Sequence, residues 1–487
     1  MTNIQKEDGR RLLSTHQLFA AVAAFSACLH SATPARPHPA PISDAPSLVR
    51  PIAPSASAIG FPWERVGDDA AEGETRAVIR VTTLDSDGPG SLRKALATAG
   101  PRLVVFEVGG VIDLGGRSLT IVSPYLTVAG QTAPDPGITL IRGSLIVETH
   151  HVVIAHLAVR PGDRGPAPAG GEWAPDALGV RRGRSGPVHH VLFDHCSATW
   201  AIDENLSASG PADVDADADA DVTAHDITLR HCLIAEGLSH AGHPKGEHSK
   251  GTLIHDGVRQ VAILGCLYAH NHERNPRLKG GTRTVVANNV MVDWESACLG
   301  IGARGNQRML TPAEAVIVGN VAVGGPATKG RVFVKSVDPG GRVFLRDNLV
   351  LGAGGAPLTL ADDGVTQLEA PPAWAPSIRA LPAIDSAVAV LRSAGSRPAR
   401  RDAIDARIVR SVIEGTGRII DSQEEVGGYP LRPRTVRTLE VPNDPEARRR
   451  WLAALSEDLA YDRDLDVRPW RERLKQGSGG TLARYSR

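Results

Sequence analysis

The sequence predicts an all-β chain wound as a parallel β-helix solenoid with short capping helices. Three observations predict it. A β-branched, alternating segment with a polar kink recurs through the middle of the chain. It reads "VVIAHLAV" from Val152, "VLFDHCSA" from Val191, "ITLRHCLI" from Ile227, "VAILGCLY" from Val261, "TVVANNVM" from Thr284, "AVIVGNVA" from Ala315 and "VFLRDNLV" from Val343. The starts lie 23 to 39 residues apart, and repeats of roughly 20 residues or more are the mark of a solenoid whose longer intervals carry loops. The intervals hold Gly, Pro, His and Asp with little 3.6-residue periodicity, which argues against a helix in each crossover and so against a doubly wound α/β sheet.

The sixth position of the later segments is Cys196, Cys232, Cys266, Asn289, Asn320 and Asn348 in turn. Equivalent positions of a β-helix stack one strand spacing apart. Stacked Asn side chains can hydrogen-bond along such a column, and Cys suits the same inward position as a small hydrophobe. The cysteines therefore read as structural and reduced. Neighbouring coils do bring Cα atoms within disulfide range, so a bridge among Cys196, Cys232 and Cys266 stays open.

A solenoid needs its ends covered. "GPGSLRKALATAG", residues 88 to 100, reads as the N-terminal cover, with Ser91 capping a short helix that turns Leu92, Ala95 and Leu96 inward. "DAIDARIVRSVIEG", 402 to 415, is a second amphipathic pattern. A third starts at Asn443, with Pro445 near its beginning. The expected organisation is a signal peptide over 1–30 and a Pro/Ala-rich linker over 31–60. The β-helix follows over 61–365, and a helical extension over 366–487 packs on it or beyond it. Arg10 and Arg11 before the apolar stretch Leu18 to Phe25 predict export, and "FSAC" at Cys28 is a weak match to a lipoprotein anchor site.

Lys+Arg and Asp+Glu balance at 54 each, so any anion site is local and a general nucleic-acid binder is excluded. No run is long and apolar enough for a membrane-spanning helix. "DVDADADADV", 213 to 222, reads as a solvated acidic insertion rather than a cation loop, because its five carboxylates repel.

Three clusters carry chemistry. "PDALGV" holds Asp176. "DHCSATWAIDENLS" holds Asp194, His195, Asp203 and Glu204. The stretch from "GLSHAGHPKGEHSKGTLIHDG" to "HNHERNPRLKGG" holds Lys250, Arg274, Arg277 and Lys279. On a β-helix the same turn of successive coils forms one face, so carboxylates of earlier coils and cations of later coils line one groove. Carboxylates suit Ca²⁺, and calcium with basic side chains suits an acidic polymer. Asp194 and His195 lie inside a repeat segment and read as structural. His240, His243 and His248 match no strong zinc spacing.

Residues of about 80 to 300 resemble the pectate lyases of the polysaccharide lyase family one type. The resemblance is carried by "GPGSLRKAL", "VVFEVGGVIDL", "LTVAGQTAP", "DHCSATWAIDENLS", "HSKGTL" and "RNPRLKGG", in order, and by the tail "GTGRIIDSQEEVGGYP". It implies a right-handed parallel β-helix. It also implies a secreted lyase that cleaves polygalacturonate by calcium-assisted β-elimination, acting as a monomer on an acidic polysaccharide. Carried over residue by residue, it puts Arg274 at the base position and Lys250 and Lys279 at carboxylate-binding positions; Arg277, whose guanidinium fork suits a carboxylate, is expected to share that role. Asp176 is carried over as a calcium ligand, and Asp203 and Glu204 are expected as the others, although this sequence has adjacent acids where many members of the family space them by a turn. An arginine base needs its pKa lowered, and Lys250, Arg277 and Lys279 are expected to supply a cationic field that does so. The sequence departs from the family near residues 60 to 76, where "GFPWERVGDDAAEGETRA" replaces a glycine-rich start.

Two other readings remain. One is a β-helix glycoside hydrolase, which needs paired carboxylates; Asp203 and Glu204, adjacent on a strand, are expected on opposite faces. The other is a non-catalytic polyuronate-binding β-helix.

Overall fold

The computed structural model describes residues 76–477, apart from 165–172, 183–185, 187, 211–223, 256, 303–310, 338–339, 376–379 and 431. The expected leader and linker, and the acidic stretch 213 to 222, lie outside the described residues.

Each coil visits three sheets in turn. One coil runs through His189–Asp194, Ser197–Thr199 and Glu204–Ser209, and the next through His225–Arg230, Leu233–Ala235 and Lys250–His255. Among the described residues the first sheet has 11 strands, the second 10 and the third 9. The strands pair in parallel with the strand one coil away, Val191 with Ile227 and Ile227 with Val261, for example. One short strand, Thr435–Val436, joins the second sheet antiparallel at Val108–Asp113. The chain is a parallel β-helix.

The corner between the first and second strands explains the recurring kink. Its first residue is left-handed, at His195 (φ 50), His231 (φ 50), Gly265 (φ 64), Asn288 (φ 55), Gly319 (φ 66) and Asp347 (φ 51). Gly, Asn and Asp tolerate that region best. The bend turns the next side chain inward, onto the Cys and Asn column. Asn289 Nδ2 donates to Asn320 Oδ1 (3.0 Å), and Asn320 Nδ2 to Asn348 Oδ1 (2.9 Å). The same oxygens accept from the backbone: Cys266 N to Asn289 (2.8 Å) and Asn289 N to Asn320 (2.9 Å). Cys196, Cys232, Cys266 and Cys298 are buried and unbridged. The rest of the interior is aliphatic, from Val104 and Val128 to Ile317 and Val343.

Helix α1 (Leu92–Leu96) closes the N-terminal end. Ser91 caps it by accepting from Lys94 N, and Leu92, Ala95 and Leu96 are buried. Helices α2 (Ala383–Ser393), α3 (Ala403–Glu414), α4 (Pro445–Leu459) and α5 (Arg468–Gly477) follow the last coils. The outer face of the second sheet, with Leu233, Leu267, Val290 and Val321, packs against Val390, Ile408, Val412 and Trp470 of α2, α3 and α5. Polar pairs lock this layer. Buried Arg160 meets Asp402 (2.8 Å) and Asp405 (2.7 Å), and Arg407 grips Glu236 with two nitrogens (2.6 and 2.7 Å). No helix among the described residues is long and apolar enough to cross a membrane.

Candidate active site

The second sheet is covered by helices, so attention falls on the edge where strands enter the third sheet. Four successive coils stack their charged residues there. Asp176 stands two positions before Leu178, which pairs with Leu206, so Asp176 lies beside Glu204; Ala177 N donates to Glu204 O (3.1 Å). Glu204 pairs with Lys250, and Lys250 bridges to Glu273. The column reads acid, acid, base, acid.

Asp203 sits in the bend just before Glu204–Ser209. The expectation that Asp203 and Glu204 point to opposite faces is therefore wrong, because pleat alternation starts only where the strand starts. Asp176, Asp203 and Glu204 each offer a carboxylate oxygen within 4.8 Å of the others. Asp176 accepts from Ser207 Oγ (2.8 Å), Glu204 N (3.1 Å) and Arg181 Nη2 (3.0 Å). Burial raises its pKa, and the Asp203 charge adds to that against the pull of Arg181. Asp203 accepts from His248 Nε2 (2.8 Å), with His243 Nε2 at 3.5 Å. Burial pushes the Asp203 carboxyl up, but the His248 hydrogen bond and the facing cations bring it below its ordinary value.

Arg274 donates to Glu204 and lies with Nε 3.7 Å from Glu273. Its backbone is left-handed (φ 65), which breaks strand alternation between Glu273 and Arg274, so both side chains reach the column. Gly251 makes room for this turn: a Cβ there would stand 2.6 Å from Arg274 O and from Asn275 Oδ1. Burial lowers the Arg274 pKa, while Asp203 and Asp176 favour its charged form.

The expected cationic field around Arg274 is absent from these contacts. Lys250 Nζ turns to Glu273 (3.0 Å) and to His272 Nδ1 (3.3 Å). Arg277 is buried, donates to Gly302 O (2.9 Å) and lays its stem over Gly300. Lys279 follows two residues on and is half-buried. The reason is the coil register, which interposes Glu273 between Lys250 and Arg274. Burial, not neighbouring cations, is what lowers the Arg274 pKa.

Asp194 and His195 lie in the strand corner as expected, with Asp194 held by Arg230 Nε (2.9 Å) and Nη2 (2.5 Å) and by His195 (2.9 Å). Of the three loop histidines, His243 and His248 stack (centroids 3.7 Å apart) over Asp203, whereas His240 leaves for Asp421. Sequence reasoning passed over Glu273, His272 and the part of His243 and His248 at Asp203. The acid inside "HNHERNP" was the available signal.

No family model matches the chain. Probable pectate lyase C of Neosartorya fischeri is 33% identical over 280 residues, 57% of each chain. Those of Aspergillus terreus (33% over 279 residues, 57% of each) and Emericella nidulans (32% over 289 residues, 58% of each) are similar to the same degree. The chain is similar in sequence to curated probable pectate lyases over a little more than half its length. It spans a little over half the length of the curated pectate lyases it matches. Among solved structures, a pectate lyase bound to a hexasaccharide aligns with 70% of this chain and 97% of its own (14% identity, TM-score 0.46). The cedar pollen allergen jun a 1 aligns with 69% and 92% (15% identity, TM-score 0.45). The solenoid assignment rests on the strand pairing rather than on these scores.

Proposed function

We propose that the protein is a secreted pectate lyase that cleaves polygalacturonate by calcium-assisted β-elimination. The observation that carries this reading is the convergence of Asp176, Asp203 and Glu204 beside Arg274, in a chain related to pectate lyases. The three acids fit a hard cation. Asp176 and Glu204 are buried and their oxygens lie close to one another, and burial, with the Asp203 charge adding to it, raises the Asp176 pKa, a cost that a bound divalent ion offsets. A bound calcium ion would supply positive charge for the uronate carboxylate and for the negative charge that develops when C5 loses its proton.

The chain's own groups do the rest. Arg274, as the neutral guanidine, accepts the proton from C5, the C4–O4 bond breaks, a C4–C5 double bond forms, and the departing oxygen takes up a proton from solvent while Arg274 later returns its own; no water is consumed. Burial lowers the Arg274 pKa toward this task. Glu204 opposes it as an ion-pair partner, so a Glu204 engaged as a metal ligand removes the anion that favours the charged guanidinium. His243 and His248 hold the Asp203 carboxylate in place. Lys250, Arg277 and Lys279 receive the uronate carboxylates, with Lys250 exchanging Glu273 for substrate.

The test is ultraviolet absorbance of the unsaturated product during incubation with polygalacturonate, with calcium and with a chelator, in the wild type and Arg274→Ala. A rise that needs both calcium and Arg274 supports the reading. New reducing ends without absorbance would move the assignment to a hydrolase, and neither signal would leave a polyuronate-binding solenoid.

A further inference from the structure

A second group of side chains stands at another edge of the solenoid, where strands enter the first sheet. The sequence doublets His150–His151 and His189–His190 and the pair His225–Asp226 fall there on three successive coils. His189 pairs with His225, and Val191 with Val152, so the doublets are in register. The rings form two columns. His150 stacks on His189 (4.8 Å, 4°) and His189 on His225 (5.1 Å, 6°); His151 stacks on His190 (4.6 Å, 6°). Those separations are the strand spacing itself. A left-handed residue at the second position of each pair, His151 (φ 53), His190 (φ 55) and Asp226 (φ 53), cancels strand alternation and keeps both rings of a doublet together.

The nitrogens converge. His150 Nδ1 lies 2.8 Å from His151 Nδ1, and His189 Nδ1 lies 2.6 Å from His190 Nδ1. His150, His151 and His189 each bring a ring nitrogen within 4.8 Å of the other two. Two imidazole nitrogens bound to one ion at about 2.0–2.1 Å stand roughly 3 Å apart. We propose that His150, His151 and His189 bind one divalent transition-metal ion of the zinc class, at a site separate from the carboxylate cluster.

The chemistry of the ring edges distinguishes this group from the other histidines. At His243, Nδ1 accepts the Lys245 N–H (3.0 Å), so the neutral ring carries its proton on Nε2 toward Asp203. At His272, Nδ1 faces the Lys250 ammonium. In the doublets, ring nitrogen faces ring nitrogen. One of each pair must hold the shared proton in the metal-free state, and an ion takes that proton's place as the tautomer shifts. Asp226 closes the column, with its carboxylate 2.8 Å from His225 Nδ1 and 3.9 Å from His190 Nδ1, and adds negative charge behind the ligands. Imidazole donors select zinc, copper, nickel or cobalt over calcium.

The experiment is calorimetric titration of the untagged full chain with Zn²⁺ in excess Ca²⁺. One equivalent of Zn²⁺ is expected to bind in the micromolar range or tighter. The double variant His150→Gln/His189→Gln should lose that affinity by at least tenfold, and His248→Gln should keep it. Electron paramagnetic resonance of the Cu²⁺-loaded wild type supplies a readout independent of the variant's folding: three nitrogen ligands are expected. Absence of Zn²⁺ binding by the wild type, binding retained by the double variant, or coordination by two nitrogens or fewer would overturn the proposal. None of these results depends on lyase activity.

Discussion

Glu204 and Arg274 form an ion pair across 70 positions of sequence, two coils apart on the same sheet edge. The pair ties the carboxylate cluster to the proposed base, so neither can be changed without affecting the other.

Replacing Arg274 tests the base. Arg274→Lys keeps a cation beside Glu204, and Arg274→Ala leaves that buried carboxylate uncompensated. Both should lose about 10²- to 10⁴-fold in kcat, the range for a general acid or base. Only Arg274→Ala should also lose stability in the absence of calcium. Initial rates and urea titrations of both variants separate the two effects.

Asp176→Asn should abolish calcium-dependent activity and change the pH dependence of stability. The folded pKa of Asp176 is raised, chiefly by burial. The folded state therefore holds this proton more tightly than the unfolded state, whose value is near 3.9. Without calcium, wild type gains stability from this group as pH falls through the raised pKa, and gains no more below the unfolded value. The difference between wild type and Asp176→Asn in calcium-free melts should follow that window; a flat difference from neutral pH down to about 3.9 would count against it.

Gly251→Ala probes positioning rather than chemistry. A Cβ 2.6 Å from Arg274 O must push the Arg274 turn away. Displacement of about 1 Å at a reacting group can cost about 10²-fold in rate. Lyase activity should fall by that order while calcium affinity, measured by calorimetry, stays within a few-fold of wild type.

Arg160→Met tests the attachment of the C-terminal helices. It takes from the buried carboxylates of Asp402 and Asp405 the cation they share, leaving Asp402 to Arg432 and Asp405 to the Ser197 hydroxyl, and removing one partner of a buried ion pair costs about 3–5 kcal/mol. Burial opposes ionisation of Asp402, yet Arg160 and Arg432 hold its carboxyl well below the usual range. That stabilisation is present above the unfolded value near 3.9 and is lost as pH falls toward the folded one. Proteolysis should release the 366–477 segment from Arg160→Met at neutral pH, and from wild type only in strong acid.

Asn320→Leu interrupts the interior ladder. It leaves the Asn289 N–H without its 2.9 Å acceptor, while Asn348 Oδ1 loses its 2.9 Å side-chain donor but keeps the backbone N–H of position 320. Each unsatisfied buried group costs about 1–3 kcal/mol. A urea midpoint unchanged from wild type would show that the ladder adds little.

Much of the fold was legible because it is written locally. The segment with its corner residue, the Cys and Asn at the sixth position and the Ser91 cap all depend on side-chain periodicity and on which residues tolerate a left-handed bend. Those properties belong to consecutive residues and repeat with each coil. The stacking of Asp176 beside Glu204 was legible for the same reason, since one turn of successive coils shares an edge, whereas the approach of Asp203 to Glu204 depends on the bend before the strand and was not. What only the tertiary structure decided is which charge faces which. Glu273 beside Lys250, Arg274 against Glu204, His243 and His248 over Asp203, and the paired histidine columns are contacts between coils. Their register is set by strand pairing after loops of unequal length, and a carboxylate a few ångströms nearer or farther reverses whether a neighbouring cation is free or already neutralised. Sequence carries the residue types and their order; the stacking of coils sets the distances, and electrostatics at short range depends on distance.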